Sequence, residues 1–334
     1  MEKIRLAIIG LGGVAQVMHL PAIIKRNDIE IVALCDTQKS KLNNLSKKLN
    51  VDKKFLSVDD MLGSGLSIDA ALIAVPTNMH AEISIKCLRA GINVLVEKPL
   101  GRNFSETKKI VDEADKSGKI LMVGMNNRFR NDCMLQRSFI RNGDIGEVYY
   151  VKTGWLKNKS SNTKWFTDSD KSGGGVVTDN GIVMLDLGMW MMNFPEVKSV
   201  SAVNYNHNTK TVEDSSISLI KFRSGESLTI EASWSFLRNG EFFYCNTFGM
   251  EGSASINPLK IYKFKNNELK EITPKRVSKV SNSYKDSFEY QLKHFVGSVK
   301  GYHKPVSTGE EALKVMKITD AIYKSAKSGK EVTF

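Results

Sequence analysis

The N-terminal third of the chain alternates short apolar runs with segments in which apolar residues recur every three or four positions. The apolar runs have the length of buried strands, and the segments between them have the periodicity of amphipathic helices. The predicted strands lie at residues 4–9, 29–34, 70–75, 94–96 and 120–123. Near-continuous apolar strands that alternate with helices are typical of a parallel sheet covered on both faces. We therefore predict a doubly wound α/β domain over residues 1–125.

The pattern changes beyond residue 126, where apolar and polar positions alternate with a period of two. This alternation predicts strands at residues 148–156, 197–203, 215–222, 228–236 and 242–248. Helices are predicted at residues 175–193, 284–299 and 310–328, and a mobile polar loop at 276–283. Residues 126–334 are thus predicted to form an α+β domain on a large open, mostly antiparallel sheet, and the last helix is a candidate to pack back on the first domain. We expect a second copy of the chain to cover the open face, which predicts a homo-oligomer.

Composition indicates the class of protein and its location, but it does not indicate a particular reaction. The chain has 48 Lys and Arg against 36 Asp and Glu, a net charge of +12, with lysines spread along its whole length. We attribute the excess to a solvated surface rather than to nucleic-acid binding, and an anionic substrate is a weaker second interpretation. No apolar stretch approaches the ~18 residues of a membrane span. Four scattered cysteines favour reduced thiols and a cytoplasmic location.

A candidate nucleotide site lies in the first 36 residues. The glycine-rich stretch at residues 10–15 (GLGGVA) separates the first predicted strand from a helical segment. Gly10 permits a tight turn, Gly12 lets the backbone approach a pyrophosphate, and Ala15 lets the helix pack closely on the strand. The phosphates would then face the N–H groups at a helix N-terminus. Asp36 ends the next strand about 20 residues on, the usual place of a carboxylate that accepts from ribose hydroxyls.

The same carboxylate bears on the choice of dinucleotide. Asp36 would repel the 2′-phosphate of NADP, so NAD is the predicted cofactor. Thr37, Lys39 and Lys41 are close enough in sequence to leave NADP open. An arginine directly after the acid would argue more strongly for NADP.

Polar residues also follow the later predicted strands, whose carboxyl ends meet at one edge of a parallel sheet. Lys98 stands between Glu97 and Pro99 directly after a buried strand, and the proline biases the lysine towards an extended backbone. An amine at this edge suits proton exchange with a substrate hydroxyl. The alternative is a loop lysine paired with Glu97.

Several motifs together resemble those of the glucose–fructose oxidoreductase/inositol dehydrogenase/MocA (Gfo/Idh/MocA) family. They lie at residues 10–15, 36, 76–80, 97–99, 124–129 and 173–186, and the resemblance covers nearly the whole chain. The run Glu97-Lys98-Pro99 and the three glycines at 173–175 followed by Asp179 and Gly181 are specific, whereas the first glycine motif is shared with many folds. The resemblance implies a Rossmann domain that binds NAD(H) or NADP(H), and a C-terminal sheet domain that closes the substrate site. It also implies dimers or tetramers packed through that sheet, and hydride transfer at a ring carbon or a sugar carbonyl.

The motifs themselves and the resemblance together give the expected site residues. The expected catalytic residues are Lys98 and Asp179, of which the second would orient the lysine or a substrate hydroxyl. The expected cofactor contacts are Gly10, Gly12, Gly13, Val14, Ala15, Asp36, Pro76, Thr77, Asn78, His80, Glu97, Lys98 and Asn126. The expected substrate contacts are Lys98, Arg128, Trp165, Asp179, Asn180 and Val183. No cluster has the spacing of metal ligands.

Four of these residues have structural alternatives that the sequence leaves open. Asp179 could simply interact with a helix dipole, and His80 could make a local hydrogen bond. Arg128 could form a salt bridge, and Trp165 could be buried apolar mass. Asp186 is expected to be a structural partner rather than a catalyst.

Val183 departs from the family pattern Asp-x-Gly-x-His-x-x-Asp, in which tyrosine sometimes replaces the histidine. Positions 179 and 183 are one helical turn apart, and valine can neither donate nor accept a proton. Three explanations stay open. In the first, Lys98 carries the proton, alone, with Asp179 or through water. In the second, another side chain such as Tyr284 or Asn180 replaces the histidine, and in the third, the protein binds its ligands without turnover.

We predict an NAD(P)-dependent oxidoreductase of a sugar, cyclitol or sugar derivative. The alternatives are a cofactor-bound sensor and an enzyme that cleaves glycosides with the help of NAD.

Overall fold

The chain forms two compact units in a computed structural model that describes residues 3–159, 164–274 and 283–334. The first unit comprises Met1–Asn126 and Lys285–Leu313, and the second comprises Asn127–Tyr284 and Lys314–Phe334. The loop predicted at residues 276–283 lies outside the described residues, apart from Ser283. Within the described stretches, no helix is both long enough and apolar enough to cross a bilayer.

The first unit is built on a six-stranded parallel sheet. Its strands are β1 (Ile4–Ile9), β2 (Ile29–Cys35), β3 (Lys54–Phe55), β4 (Ala70–Ile73), β5 (Asn93–Glu97) and β6 (Leu121–Gly124). They stand in the order β3-β2-β1-β4-β5-β6, and every pair is parallel. β4 and β6 are buried at every position, which explains why they occur in the sequence as unbroken apolar runs. This order confirms the predicted doubly wound Rossmann sheet.

The described residues form ten α-helices, and α5 shows how local residues set both ends of a helix. The helices are α1 (Leu20–Ile24), α2 (Lys39–Leu49), α3 (Val58–Gly63), α4 (His80–Arg89), α5 (Phe104–Ser117), α6 (Asn131–Arg141), α7 (Ser169–Ser172), α8 (Ile182–Met191), α9 (Ser283–Val299) and α10 (Gly309–Ser328). At the start of α5, the side chain of Asn103 accepts the backbone N–H of Glu106 at 3.0 Å. The helix ends at Gly118, whose φ of +64° is the left-handed conformation that favours glycine.

The second unit contains a nine-stranded sheet. Its strands are β7 (Val148–Leu156), β8 (Val197–Tyr205), β9 (Ser215–Phe222), β10 (Ser227–Ser233), β11 (Phe242–Gly249), β12 (Gly252–Ser255), β13 (Lys260–Lys265), β14 (Glu268–Glu271) and β15 (Val332–Thr333). They stand in the order β14-β13-β12-β11-β7-β10-β9-β8-β15, and β7 with β10 is the parallel pair in an otherwise antiparallel arrangement. The structure thus confirms the mostly antiparallel sheet predicted for the C-terminal part.

The two faces of this sheet have different surroundings. On one face, α8 packs against β7, β10 and β11. On the other, Tyr150 and Phe248 stack with ring centroids 5.5 Å apart. Val203 and Ile217 are paired across β8 and β9 and remain exposed. An exposed apolar sheet face is what the predicted homo-oligomer would cover, and the oligomeric state stays a prediction.

Candidate functional site

The turn after β1 requires glycine at position 10. Gly10 has a φ of +88°, and a Cβ there would lie 2.6 Å from the carbonyl carbon of Ala74 and 2.8 Å from Cγ1 of Val75. Its N–H donates to the carbonyl of Cys35 at 2.8 Å. Both the backbone conformation and the lack of space therefore favour glycine at this position.

Gly12 and Gly13 differ from Gly10 because protein packing does not require glycine at either position. Outside its chain neighbours, the nearest atom of the described residues would lie 4.0 Å from a Cβ on Gly12. A Cβ on Gly13 would have no atom of those residues within 4 Å. The backbone there is open to a close approach from outside the fold. This arrangement fits a pyrophosphate lying against the turn.

The helix after the turn begins irregularly. Residues Ala15–His19 form a π-helical turn, in which the N–H of Leu20 bonds to the carbonyl of Ala15, and α1 follows directly. Val14 precedes the turn and is half-buried, whereas Ala15 is fully buried, in keeping with its predicted close packing. π turns of this kind occur frequently at functional sites.

Asp36 lies at the end of β2 and reaches back to the glycine-rich turn. Its Oδ2 accepts the N–H of Leu11 at 2.8 Å, and its Oδ1 accepts the N–H of Gln38, also at 2.8 Å. These bonds hold a half-buried carboxylate beside the turn, with lone pairs left for further donors. The position fits the predicted contact with ribose hydroxyls.

The segment after β4 carries four of the predicted cofactor contacts. Pro76 is exposed, Thr77 is buried, and the buried Oδ1 of Asn78 has no hydrogen-bond partner among the described residues. An acceptor in this state is suited to an external donor. His80 is instead engaged by the protein: Nδ1 lies 2.7 Å from the carbonyl oxygen of Pro99 and Nε2 lies 2.9 Å from that of Val75. Its observed contacts are thus with the backbone of Pro99 and Val75, and a cofactor contact through His80 stays a prediction.

The turn after β5 carries Lys98, which is half-buried at the carboxyl edge of the sheet. The Oε2 of Glu97 accepts the N–H of Lys98 at 3.3 Å, and its Oε1 accepts from Nε2 of His19 at 2.6 Å. Burial raises the pKa of the Glu97 carboxyl, but the His19 bond and the nearby positive charges outweigh it, so the pKa is lowered overall. The Lys98–Pro99 peptide bond is cis.

Asn126 follows β6, the next strand of the sheet. It is buried, and its Nδ2 donates to the hydroxyl of Ser287 on α9 at 2.9 Å. The bond ties α9 to the carboxyl end of β6. A cofactor contact through Asn126 stays a prediction.

In the second unit, a helix start held by distant partners precedes Asp179. A Cβ on Gly174 would collide with the hydroxyl of Tyr323, and one on Gly175 would lie 3.0 Å from the carboxyl carbon of Glu213. The buried Glu213 carboxylate accepts the N–H groups of Gly175 at 3.0 Å and Val177 at 2.9 Å, and the hydroxyl of Tyr323 at 2.8 Å. Burial raises the pKa of Glu213 despite these donors.

Asp179 lies in a second π-helical turn, Val177–Gly181, which leads into α8. The regular helix predicted over residues 175–193 therefore begins only at Ile182. From position 174 to 189 every residue is buried except Asp179, which is half-buried. Its Oδ2 accepts from Nε1 of Trp234 at 3.3 Å. Val183 is buried in α8, and the buried Nδ2 of Asn180 has no partner among the described residues.

Arg128 is committed to a buried ion pair, which is the salt-bridge alternative. Nε donates to Oδ2 of Asp186 at 2.8 Å and Nη2 to Oδ1 at 2.5 Å, with 1% of the arginine side chain and 3% of the aspartate side chain exposed. The guanidinium also lies over the rings of Phe194 at 5.1 Å and Trp190 at 5.8 Å. Asp186 is thus the structural partner that the sequence predicted, and Arg128 has no exposed edge for a substrate.

Two further placements complete the predicted site residues. Trp165 is half-buried, with its ring stacked 4.0 Å from that of Phe166. No three His, Cys, Asp or Glu side chains come together as metal ligands within the described part of the chain.

Sequence reasoning missed His19, Glu213, Trp234 and Tyr323 as partners of site residues. Each forms its hydrogen bond with a residue that is distant along the chain, so no short sequence motif contains both partners. The sequence does contain one signal for Glu213, because two adjacent acids, Glu213 and Asp214, stand directly before a predicted strand. In the structure both are buried. Buried carboxylates need hydrogen-bond donors, and such donors are available at a helix N-terminus.

Both units match known proteins. Residues 4–125 match a family model described as "Oxidoreductase family, NAD-binding Rossmann fold", and residues 137–334 match one described as "Oxidoreductase family, C-terminal alpha/beta domain". The chain is 30% identical to D-glucoside 3-dehydrogenase of Escherichia coli, over 99% of this chain and 97% of that protein. It is 24% identical to myo-inositol 2-dehydrogenase of Thermotoga maritima, over 98% of each. The structure of levoglucosan dehydrogenase in complex with NADH and L-sorbose has the same fold, with a TM-score of 0.90 and 19% identity over 100% of this chain and 99% of that one.

Proposed function

The chain belongs to the Gfo/Idh/MocA oxidoreductase family, and on this premise we propose that it transfers a hydride between NAD and a sugar, a cyclitol or a sugar derivative. Bound NAD supplies or accepts the hydride at a carbon that bears a hydroxyl or carbonyl group. The residues of this chain bind the dinucleotide, orient the substrate and move the proton. Support for the substrate class comes from relatives named as dehydrogenases of a D-glucoside and of myo-inositol.

One observation carries the proposal: Lys98 directly follows β5, at the sheet edge that also holds the Gly10 turn. β5 is separated from β1 by β4 alone, so the two strand ends stand about 10 Å apart. A dinucleotide that starts at the glycine-rich turn and extends along this edge has ample length to reach the lysine. We assign proton exchange with the substrate hydroxyl to the amine of Lys98.

The proposed cofactor contacts use the groups that the fold leaves open. The backbone at Gly12 and Gly13 would receive the pyrophosphate, and Asp36 would accept from the ribose, which favours NAD over NADP. The Oδ1 of Asn78, which has no partner within the described stretches, is the proposed acceptor for a further donor of the cofactor.

Within the second unit we propose three substrate contacts. Asp179 has a half-buried carboxylate, and Trp165 offers a half-buried ring to a sugar face. The amide nitrogen of Asn180 has no partner in the part of the chain that the structure describes. Arg128 is left out of the proposal because Asp186 engages its guanidinium. Val183 contributes apolar surface and no proton.

The test is turnover of NAD+ or NADH with a panel of glucosides, ketosugars and inositols. Lys98→Ala should lower kcat by about 10²–10⁴-fold, the usual contribution of general acid–base catalysis, while NADH still binds. Lys108→Ala is the matched control, because this lysine is exposed on α5 and pairs with Asp112. Full activity of the Lys98 variant would refute the catalytic assignment.

Val183 favours a second candidate function, a cofactor-bound sensor without turnover. A buried valine stands where the family pattern has a proton-transferring histidine or tyrosine. Tight NAD binding by calorimetry, with unchanged absorbance at 340 nm across the whole panel, would support the sensor. Release of free sugar from a glycoside, without net change in NADH, would instead identify NAD-assisted glycoside cleavage.

We further propose a cytoplasmic homodimer or homotetramer joined through the outer face of the second unit's sheet. The exposed Val203–Ile217 pair and the stacked Tyr150 and Phe248 support this surface. Ile217→Lys should shift the mass measured by light scattering towards the monomer, whereas Lys86→Glu, on α4 of the first unit, should not.

A further inference from the structure

We propose that His19 and His80 are positioning residues for Lys98, because their buried imidazoles hold the Glu97–Lys98–Pro99 turn at its two ends. The inference rests on the proposed catalytic role of Lys98 and adds the residues that fix where its backbone lies. All the groups involved belong to the first unit.

His19 holds the front of the turn. It is 1% exposed, and its Nε2 lies 2.6 Å from Oε1 of Glu97. The ring also packs against that of Phe288 in a T-shaped arrangement, with centroids 5.1 Å apart and planes at 84°. A nitrogen–carboxylate distance this short is typical of a charge-assisted hydrogen bond. Since the other oxygen of Glu97 accepts the N–H of Lys98, the bond ties the lysine backbone to the helix after the glycine-rich turn.

The surroundings of Glu97 explain why its partner matters. The carboxylate packs against Gly124 on the neighbouring strand, where a Cβ would lie 3.2 Å from Oε1. There is consequently no room for it to swing towards β6. A buried carboxylate that loses a donor carries a desolvation penalty, so removal of the His19 ring should drive Glu97 out of this position. The N–H of Lys98 would lose its acceptor with it.

His80 holds the back of the turn. It is also 1% exposed, with Nδ1 2.7 Å from the carbonyl oxygen of Pro99 and Nε2 2.9 Å from that of Val75. Val75 follows β4 and Pro99 follows β5, so the ring bridges the segments after two neighbouring strands. Both partners are carbonyl oxygens, so a neutral ring donates to only one of them and an imidazolium donates to both. Nδ1 faces the lysine turn and Nε2 faces the segment after β4, so variants can test the two contacts separately.

Lys98 lies between the two anchored residues. A shift of its backbone along the edge of the sheet would stretch the bond at Glu97, the bond at Pro99, or both. Displacement of a reacting group by about 1 Å can cost about 10²-fold in rate, so the anchors should matter for kcat. They contact the turn and not the predicted substrate, so they should matter less for KM.

The variants separate each hydrogen bond from the volume of its ring. His19→Leu removes the donor to Glu97, whereas His19→Gln places an amide nitrogen near the position of Nε2. At position 80, asparagine places its amide nitrogen near Nδ1 and keeps the bond to Pro99, while glutamine places it near Nε2 and keeps the bond to Val75. His207→Gln, at an exposed position in the second unit, is the control.

Three measurements are made on each variant: the number of NADH-binding sites by titration, kcat per NADH-binding site, and the labelling rate of Lys98 by an amine reagent in the free protein. His19→Leu should lower kcat per site by about 30–100-fold, change the labelling rate at least about threefold and alter KM less than about threefold. His19→Gln should recover most of the loss. His80→Asn should stay closer to wild type than His80→Gln in both kcat and labelling.

The outcomes distinguish this inference from the proposed function. If His19→Leu and both His80 variants match wild type in kcat per site and in Lys98 labelling, the positioning role is wrong. Equal losses in His80→Asn and His80→Gln would also refute it, because they would indicate general destabilisation. If Lys98→Ala retains turnover, the catalytic assignment fails, whereas the labelling rates still decide whether the histidines position the amine.

Discussion

Alanine substitutions at Gly10 and Gly12 should separate the two physical roles of the glycine-rich turn. Gly10 has a left-handed backbone and no space for a Cβ, whereas Gly12 is outside the left-handed region and has about 4.0 Å of clearance. The first glycine is therefore required by the fold. The second is required only if something other than this chain lies against it.

The magnitudes follow from these contacts. Gly10→Ala incurs about 1–2 kcal/mol for an L-residue in the left-handed region. The overlap with Ala74 and Val75 adds roughly 1–3 kcal/mol for overpacking. The free energy of unfolding should thus fall by about 2–5 kcal/mol. Gly12→Ala should leave stability unchanged or raise it by about 0.4–1 kcal/mol, because alanine restricts the unfolded chain.

Binding should show the opposite pattern. A methyl group at Gly12 would occupy the space that we assign to the pyrophosphate, so the Kd for NADH should rise at least about tenfold, or about 1.4 kcal/mol. Urea unfolding gives the stabilities, and calorimetry with NADH gives the affinities of the folded variants. Unchanged NADH affinity in Gly12→Ala would refute the placement of the pyrophosphate, and wild-type stability in Gly10→Ala would refute the steric argument.

Three further predictions concern other residues. Arg128→Met leaves the Asp186 carboxylate buried without its partner, so the free energy of unfolding should fall by about 3–5 kcal/mol in urea; unchanged stability with a raised KM would assign Arg128 to the substrate instead. Burial and the charge of His303 lower the pKa of His294 from 6.5 to about 4, so the unfolded state binds the extra proton as the pH falls below 6.5. Wild type should therefore lose about 1–2 kcal/mol of stability between pH 7 and pH 5 relative to His294→Gln, measured by urea unfolding at both pH values, and equal losses would contradict the pKa shift. Val183→His should raise the rate of NADH formation with an inositol-like substrate, and a change confined to NAD affinity would contradict a missing proton donor.

Most of the fold could be predicted because its signals are local. A buried strand in a parallel sheet appears as an apolar run, as in β4 and β6, and a cap such as Asn103 lies three residues from its partner. β14 could not be predicted in the same way, because it is short and exposed at all four positions and therefore has no apolar alternation. β15 pairs with β8 across more than a hundred residues, a separation at which no periodicity helps.

The site was predictable only in part for the same reason. The glycine-rich turn, Asp36 and the Lys98 turn are short motifs at strand ends, and the sequence places them at one sheet edge. The groups that hold them come from elsewhere: His19 acts on a residue 78 positions away. Trp234 acts on Asp179 across 55 positions. Such pairs depend on the folded topology and leave no spacing to detect.

The two π-helical turns show a further limit of arguments from helical spacing. A π turn bonds residue i to i+5, so it contains one residue more than the α-helical pattern assumes. Ala15–His19 is followed by Pro21, which has no N–H to give to a regular turn, and the irregular segment ends on the histidine that bonds to Glu97. Val177–Gly181 contains Asp179, which is half-buried between buried neighbours, while Val183 lies beyond the turn in regular helix. Asp179 thus lies inside the π turn and Val183 in regular helix, so their spacing in the sequence does not by itself fix how the two side chains face each other. A replacement for the missing histidine should be sought among titratable side chains near the Asp179 carboxylate, because the Trp234 indole that bonds to it is a hydrogen-bond donor only and cannot exchange a proton.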